Sequence, residues 1–474
     1  MAELVGFVGS SHKDRSLNFD AQRCINLFPQ VSASGTSKSP AKLVSAPGLS
    51  VFCDFSATIS RGVRGMIQFD DNSLFVVAGT KVLRVDAAGA VTAIGTVPSE
   101  DTPVSMATNG ITIFFVTGPK GFVITPATNT VVEYVDASFA GADAVWFLAG
   151  SYVFNKTGTS QFQAMAPYST TLDPLWFATA EGSPDALVTL AVDNQEVWLF
   201  GTETLEVWTN DGGAGFPYSR VPGVFIEQGC IAKNSVVKLE GLFWLSSNDH
   251  GQGMVFHTVG LSAKRISDFS LEQEIATYPT ITDAVGYGYQ QEGHSFYVLT
   301  FPTQNITWVY DLATATWTQR AWLDVDGSFS RHRSNCHAFF GRKNLVGDWD
   351  LGKIYQMSTL IYSDAGNPLV RLRASPHVGS NGARIAHANI EFDIETGVGL
   401  QDGQGSDPQI QLRWSDDNGH TFKHARMKSV GAVGKYKKRV RFTRLGQARD
   451  RVYELSYSEP TSFTIMGARI NAAQ

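Results

Sequence analysis

An apolar, aromatic-rich run that ends at a tight turn recurs along the chain, and this repeat restricts the fold more than any other feature. Its seven copies are Leu74–Gly79, Thr112–Gly118, Val145–Gly150, Val197–Gly201, Leu242–Ser246, Phe296–Phe301 and His337–Gly341. Their starts lie between residues 74 and 337, so the mean spacing is about 44 residues. Blades of a β-propeller repeat at roughly 40–50 residues and hold about four strands each. The repeat therefore predicts an all-β chain built around a β-propeller of six or seven blades.

The composition agrees with a chain of short strands. Glycine makes up 45 of 474 residues and aromatic residues 11%, whereas charged residues reach only 17%, too few for a long charged helix or a charge-driven disordered chain. One short helix is expected within Ser267–Tyr278, where apolar residues fall at helical spacing. Two β-sandwiches would also give closely spaced strands, and this arrangement stays open as the alternative fold.

A stretch rich in glycine and proline divides the chain near residues 359–383. Beyond it, Ala388–Glu395 alternates apolar and polar side chains as a half-buried strand does. We therefore expect an extended N-terminal arm over residues 1–60, a propeller over residues 61–364, and an antiparallel, β-sandwich-like C-terminal domain over residues 365–474. Within the arm, Ile25–Phe28 is a candidate strand for closing the propeller.

Charge is distributed unevenly between these parts. The formal net charge of −6 combines −12 over residues 1–364 with +6 over residues 365–474, which indicates separate domains or an interface. The four cysteines form no CxxC pair, a usage typical of reducing compartments. The start of the sequence lacks the apolar core of a signal peptide, and no apolar run approaches the ~20 residues of a membrane helix, so we expect no membrane anchor.

The densest positive charge lies in Lys423–Arg451, which carries +10 in 29 residues. Arg439 and Arg441 alternate there with apolar residues, so one face of the strand is cationic. Three interpretations stay open: a solvated edge strand protected by charge, a docking face for an acidic protein surface, or direct contact with phosphate. The candidate interface residues are Lys435, Lys437, Lys438, Arg439, Arg441 and Arg444.

Residues 415–422 read SDDNGHTF and resemble the Asp-box hairpin of sialidase propellers. In such a turn the serine and aspartate side chains bond the backbone, glycine takes a positive φ, and the aromatic ring packs beneath. The pattern predicts a structural turn that takes no part in catalysis. Its residues are Ser415, Asp417, Gly419, Thr421 and Phe422.

The sequence offers no convincing catalytic or metal-binding set. Two close acid pairs, at 324/326 and 348/350, lie beside turn glycines, where carboxylates usually cap the turn or face solvent. The cluster of His332, Cys336 and His337 includes two arginines, Arg331 and Arg333, whose charge would oppose a zinc ion. Phosphate-loop, GxSxG and HExxH motifs are missing from the sequence. We expect a protein that is not an enzyme and holds no cofactor or metal.

Segments spread over most of the chain share their pattern with one family. They are Cys24–Gln30, Ser45–Leu49, Asp173–Ala180, Pro184–Leu190, Glu196–Trp208, Gly215–Ser219, Gly229–Ser235, Phe243–Leu245, Lys264–Glu274, Trp414–Arg426 and Gly434–Arg449. In this order they resemble the tail-hub, or packaged-DNA stabilisation, proteins of short-tailed (podovirus-type) bacteriophages. The early repeats, over residues 74–135, agree with that family only in rhythm.

This resemblance implies a structural protein of the virion tail that is assembled in the host cytoplasm. Such a protein forms a ring, expected to be a homohexamer, as a hub or nozzle below the portal and its adaptor. The ring extends the DNA channel, helps retain packaged DNA until ejection, and contacts needle, spike or fibre proteins. DNA passes through the lumen without sequence-specific binding. The resemblance supplies no catalytic residues.

The charge split fits this picture if the acidic part lines a channel that repels phosphate and the basic face packs between subunits or on partner proteins. Reversal of Arg439, Arg441 and Arg444 to glutamate is then expected to impair ring or tail assembly. The alternative function is a sialidase-like or carbohydrate-binding propeller that acts on host surface glycans. Glycan binding or hydrolysis by the purified chain would favour that alternative.

Overall fold

Seven four-stranded antiparallel sheets make up a β-propeller in the computed structural model, which describes residues 2–4, 6–98, 101–180, 182, 185–213, 215–248 and 250–473. The strands of each blade are given from the innermost outward. Blade one consists of Val63–Asp70, Ser73–Ala78, Lys81–Val85 and Val91–Thr96, and blade two of Ser105–Thr108, Ile113–Thr117, Lys120–Thr125 and Thr130–Glu133. Blade three consists of Val145–Leu148, Ser151–Asn155, Gln161–Met165 and Leu172–Thr179, and blade four of Leu187–Asp193, Glu196–Gly201, Leu205–Asn210 and Tyr218–Arg220. Blade five consists of Val237–Leu239, Gly241–Ser247, Gly253–Val259 and Ser262–Arg265, and blade six of Val285–Gln291, His294–Phe301, Ile306–Asp311 and Thr316–Leu323. Blade seven consists of Ser334–Phe340, Lys343–Asp348, Lys353–Ser358 and Gly48–Asp54.

The blades form a closed ring. Each innermost strand contacts the innermost strands of its two neighbours, and that of blade seven contacts that of blade one. Glycine permits this close approach at two points: a Cβ on Gly65 would lie 2.7 Å from the Val104 carbonyl oxygen, and one on Gly286 would lie 2.9 Å from the Ser235 carbonyl oxygen. The prediction of a propeller is confirmed, and the described chain has seven blades.

The strand that closes the ring comes from the N-terminal region. Gly48–Asp54 pairs antiparallel with Lys353–Ser358 and is the fourth strand of blade seven. The sequence pointed instead to residues 25–28, which the structure divides between two other strands, Cys24–Ile25 and Leu27–Val31. All these segments are short and apolar, and the pairing partner lies about 300 residues away, so local pattern could not tell them apart.

Two packed sheets form the C-terminal β-sandwich, and both include N-terminal strands. The first sheet has the order Val440–Thr443, Ile385–Ile394, Thr464–Ala473, Ala41–Ser45, Leu27–Val31, with Gln447–Ala448 and Ala2–Glu3 at its sides. The second has the order Cys24–Ile25, Arg371–Ala374, Asp450–Tyr457, Gln409–Ser415, Lys423–Ser429, with Val378–Gly379 beside it. The remaining short elements are His12–Lys13 with Ala21–Gln22, the 3-10 turn Lys233–Ser235, Phe329–Arg331, and Ser363–Asp364 with Asn367–Pro368. The described residues among the first 54 therefore contribute strands to both units, including the strand that closes the propeller.

Backbone hydrogen bonds join the two units. Ile25 pairs in parallel with Gln319 of blade six and antiparallel with Leu372 of the sandwich, so one sheet runs from the propeller into the sandwich. Aromatic packing fills the adjacent blades: Phe243 and Tyr297 of blades five and six stack with their ring centroids 5.0 Å apart. The sandwich is thereby fixed to the outer edge of blade six.

A helix of seven residues, Phe269–Ile275, lies between blades five and six within the expected range. Leu271 and Ile275 are buried, as their spacing predicted. The N-cap is Asp268, whose Oδ1 accepts the Leu271 N–H at 2.8 Å. The Ser270 hydroxyl donates to the Lys13 carbonyl at 2.9 Å.

Candidate protein interface

The basic segment lies at the edge of the sandwich farthest from the propeller. Lys423–Ser429 is the last strand of the second sheet, four strands beyond Cys24–Ile25. Residues 430–439 follow as a loop, which we call the lysine loop, and Val440–Thr443 then joins the first sheet. A long segment of positive charge therefore occupies one end of the molecule.

The lysine loop holds cations that are free to meet a partner. Lys435, Lys437 and Lys438 are exposed, and none makes an ion pair or side-chain hydrogen bond with any described residue. The loop itself is held, because the Gly434 N–H donates to the Gly397 carbonyl at 3.1 Å and the Thr396 hydroxyl donates to the Tyr436 carbonyl at 2.9 Å. The three lysines thus stand on a fixed backbone with solvated ammonium groups.

The three candidate arginines are in a different situation. Arg439 donates twice to the Glu391 carboxylate, at 3.1 and 2.7 Å, and Arg441 lies directly opposite Glu391 on the neighbouring strand. The carboxylate raises the pKa of Arg439 through these hydrogen bonds. Arg444 occupies the left-handed region with φ 58°. Glu391 therefore offsets much of the strand charge that the sequence showed as purely cationic.

Other cations of the segment stabilise the sandwich. Arg451 is buried, holds the Asp416 carboxylate, and donates to the Leu445 carbonyl at 2.6 Å. Lys428 donates to the Arg441 carbonyl at 2.8 Å, and Arg426 donates to the Thr443 carbonyl at 2.7 Å. Carboxylates therefore pair with Arg439 and Arg451, while Lys423, Arg444 and the three lysines of the lysine loop remain exposed cations without an ion pair among the described residues.

The Asp-box segment forms a tightly bonded turn. The Ser415 hydroxyl accepts the Gly419 N–H at 2.8 Å, and Asp417 accepts the backbone and side chain of Thr421 at 2.8 and 2.5 Å. The Ser415 hydroxyl also donates to Asp417 at 2.5 Å, and this bond together with those from Thr421 lowers the pKa of Asp417. Gly419 has φ 90°, and Phe422 packs on a small cluster that contains Ala21. The turn thus holds the N-terminal hairpin against the sandwich.

Asp348 of the second acid pair and His332 are held in buried structural contacts. Asp348 is buried between Arg333, at 2.8 Å, and the Tyr355 hydroxyl, which donates to it at 2.7 Å. His332 is fully buried beside Ser334, and burial lowers its pKa to about 3. Within the described residues, no three His, Cys, Asp or Glu side chains come close enough to hold a metal ion.

A cavity of about 150 Å³ lies on the propeller axis. Its lining includes a residue from, or next to, the innermost strand of every blade: Arg64, Ser105, Trp146, Thr189, Val236, Val285 and Cys336. A sphere of this volume is only about 7 Å across. The major groove of DNA alone is about 12 Å wide. A DNA duplex therefore cannot pass along the axis of one propeller.

Buried polar residues at the junction escaped the sequence analysis. Asp364 is fully buried and neither carboxylate oxygen has a hydrogen-bond partner among the described residues. Burial raises its pKa to about 7, although Arg371 and Arg320 oppose this rise. Arg373, also buried, donates at 2.7 Å to each of the Phe7 and Ser10 carbonyls. Arg371 and Arg373 lie two residues apart on the strand Arg371–Ala374 and so share one of its faces. This spacing was the sequence signal that could have indicated the cluster.

These features define a β-propeller protein with a fixed C-terminal β-sandwich. Two family models match the sequence: the β-propeller of bacteriophage P22 Gp10 over residues 6–362, and the β-sandwich of the same protein over residues 371–473. The chain belongs to the family of bacteriophage P22 Gp10, a family of phage structural proteins. The resemblance to tail-hub proteins is confirmed.

Comparison with curated proteins gives no match. Among solved structures, a chain of the mitotic checkpoint complex is 10% identical, with a TM-score of 0.38, 60% of this chain covered and 84% of that chain. The N-terminal domain of Nup159 is 8% identical, with a TM-score of 0.41 and coverage of 74% and 99%. Likenesses this weak say nothing about function. No helix in the described ranges has the length and hydropathy to cross a membrane.

Proposed function

We propose that the chain is a non-enzymatic hub of a phage tail, which assembles as a ring below the portal and its adaptor, extends the DNA channel and helps retain packaged DNA. The family match over residues 6–362 and 371–473 carries this proposal. In it, residues 61–364 with their closing strand are the propeller, residues 365–474 are the sandwich, and six copies form the ring. Portal-adaptor, needle and spike or fibre proteins are its neighbours in the virion.

The axial cavity supports a channel formed by several copies. Since duplex DNA does not fit along the axis of one propeller, a DNA path requires a lumen enclosed by a ring of chains. The net charge of −12 over residues 1–364 favours passage without tight binding, because a negative surface repels phosphate. Closed cyclic symmetry with the same contact repeated between neighbours is the ordinary way to build such a ring.

Virions offer the direct test. We expect the protein in purified particles, and electron cryo-microscopy is expected to show its propeller as a ring between the portal and the tail tip. Particles made without the protein should lose packaged DNA during centrifugation, as measured by DNA per head, and plasmid-borne wild-type chain should restore retention. Full retention without the protein, or its absence from particles, would contradict the proposal.

A further inference from the structure

The two edge strands of the sandwich lie side by side at its free end. Lys423–Ser429 is the last strand of the second sheet, Val440–Thr443 is the last strand of the first, and the lysine loop connects them. Arg426 and Lys428 cross the gap between the strands, each donating to a backbone carbonyl of Val440–Thr443, at 2.7 and 2.8 Å. The two strands and the loop therefore form one continuous surface.

The bonds that hold this surface together do not cancel its positive charge. A backbone carbonyl carries no net charge, so the two bridging side chains remain cationic while they donate to it. Residues 423–444 contain nine lysine and arginine residues and no acidic residue. Arg439 pairs with Glu391, and Arg441 lies opposite the same residue. The other seven make no ion pair with any described residue, and we call them the cationic ridge: Lys423, Arg426, Lys428, Lys435, Lys437, Lys438 and Arg444.

The three lysines of the loop stand on the same face. Lys435, Lys437 and Lys438 line one surface pocket, together with Ser429 at the end of the edge strand. Asp407 also lines this pocket and accepts the Ser429 hydroxyl, but it forms no ion pair with any described residue. This carboxylate therefore borders the cationic ridge without neutralising it.

The cationic ridge is long enough to follow the backbone of a nucleic acid. The seven residues of Lys423–Ser429 span about 23 Å at the usual rise along a strand. Because one strand of DNA carries a phosphate every ~3.4 Å of helix axis, about seven phosphates fall within that length. The lysine loop adds three ammonium groups beyond the end of the strand. The line of cations therefore matches a line of phosphates in length.

The side-chain types of the ridge favour phosphate over an acidic protein as the partner. Five of its seven cations are lysine, a residue that is depleted in protein–protein interfaces and common in contacts to DNA phosphates. Such contacts position a protein on DNA without reading its bases. Tyr436, 72% exposed among the loop lysines, adds a hydroxyl that can donate to a phosphate oxygen.

We infer that the cationic ridge contacts the phosphate backbone of double-stranded DNA, whatever its base sequence. The inference rests on the proposed function and identifies the surface of the hub that touches packaged DNA. In the ring, this edge of the sandwich faces the lumen, while the net charge of −12 over residues 1–364 repels phosphate elsewhere. Ionic contacts then hold the DNA at one level of the channel and still let it slide during ejection.

Binding of DNA duplexes by the purified full-length chain tests this contact. The probes are two fluorescent duplexes of unrelated sequence, and the measurement is fluorescence anisotropy between about 50 and 200 mM sodium chloride. We expect equal affinity for the two duplexes. We also expect the logarithm of the association constant to fall linearly with the logarithm of the salt concentration, with a slope of about −0.9 per phosphate contacted.

The variant K435Q/K437Q/K438Q removes three cations of the ridge. We expect it to bind both duplexes roughly tenfold more weakly at about 50 mM salt, and the salt slope to decrease in magnitude by about three, because three phosphate contacts are lost. The matched control K81Q/K120Q/K264Q removes three exposed lysines of the propeller and should bind DNA as the wild type does. Circular dichroism checks that both variants are folded.

A wild-type chain that binds neither duplex at low salt would overturn the inference, and so would a ridge variant with the affinity and salt slope of the wild type. A ridge variant that binds DNA normally but enters no tail would assign the ridge to a protein neighbour instead. The proposed function fails on different evidence, namely absence of the protein from virions or full DNA retention without it. Virions that contain the ring, together with a purified chain that ignores DNA, would remove only the ridge contact.

Discussion

At the scale of single residues, Asn26 shows how the two units are held together. It is buried with φ 53°, and its side-chain amide donates to the Ala321 carbonyl at 2.9 Å and to the Val370 carbonyl at 2.8 Å. Its Oδ1 accepts the Ala321 N–H at 3.0 Å. Asparagine tolerates the left-handed region better than other residues with a side chain. Asn26 therefore combines an unusual backbone with bonds to both units.

Replacing Asn26 separates these two contributions. Asn26→Gly keeps the backbone conformation but leaves buried groups of Ala321 and Val370 without partners, and we expect it to lower the free energy of unfolding by about 2–4 kcal/mol. Asn26→Ala adds the strain of a positive φ, about 1 kcal/mol more. Chemical denaturation measures both. A glycine variant as stable as the wild type would show that the side-chain bonds contribute nothing.

Asp364 makes stability depend on pH. Its folded-state pKa of about 7 lies above the ordinary value of 3.8, so the folded protein binds a proton more tightly than the unfolded chain does. Protonated Asp364 therefore adds to the free energy of unfolding. This contribution is complete below about pH 4 and is lost as the pH rises through about 7. Asp364→Asn should remove this slope.

The measurement is the free energy of unfolding at pH 5 and at pH 8 for the wild type and for Asp364→Asn. We expect the free energy of unfolding to fall more between pH 5 and pH 8 in the wild type than in the variant. The reason is that ionised Asp364 is buried without a hydrogen-bond partner among the described residues. Asp402→Asn, which changes an exposed carboxylate, is the control and should keep the wild-type slope. Equal slopes for all three would show that Asp364 does not titrate in this range.

At the scale of secondary-structure elements, closure of the propeller depends on Gly48–Asp54. Leu49 on this strand is fully buried in a cluster with Phe296 and Met357, whereas Val51 is 47% exposed. Leu49→Ala is expected to cost about 2–5 kcal/mol of stability. Val51→Ala on the same strand should change it by less than about 0.5 kcal/mol. Equal effects would mean that the packing of this strand does not hold the ring closed.

Part of this architecture was readable from the sequence. The repeats revealed all seven blades because the central strands of each blade are buried on both faces, as in Phe296–Phe301 of blade six. The innermost strand Ser105–Thr108 gave no signal, since it is short and partly polar. At Val145–Gly150 and at His337–Gly341 the repeat marked the first strand of a blade instead of the second. The closing strand was beyond reach because its partner is distant in sequence.

The candidate site was predictable to a similar extent. The positive charge of the lysine loop was evident from the sequence, but the pairing of Arg439 with Glu391 depends on strands that lie 48 residues apart. A count of charges along the chain therefore does not reveal that an acidic residue on a neighbouring strand neutralises a basic one.

At the scale of the whole molecule, the separation of charge between its ends predicts how self-association responds to salt. Contacts between exposed charges are screened over about 10 Å at 0.1 M ionic strength and about 3 Å at 1 M. We therefore expect self-association of the wild type to weaken as sodium chloride increases, as measured by sedimentation. Association that strengthens with salt would indicate a contact dominated by apolar surface.

The N-terminal origin of the closing strand also determines when the propeller can close during translation. Gly48–Asp54 leaves the ribosome about 300 residues before its partner Lys353–Ser358, and Ala41–Ser45 waits longer still for Thr464–Ala473. At roughly 5–20 residues per second, the first of these strands stays unpaired for about 15–60 s. The earliest part of the chain is thus the last to find its place, and a nascent chain that stops before residue 353 can complete neither unit.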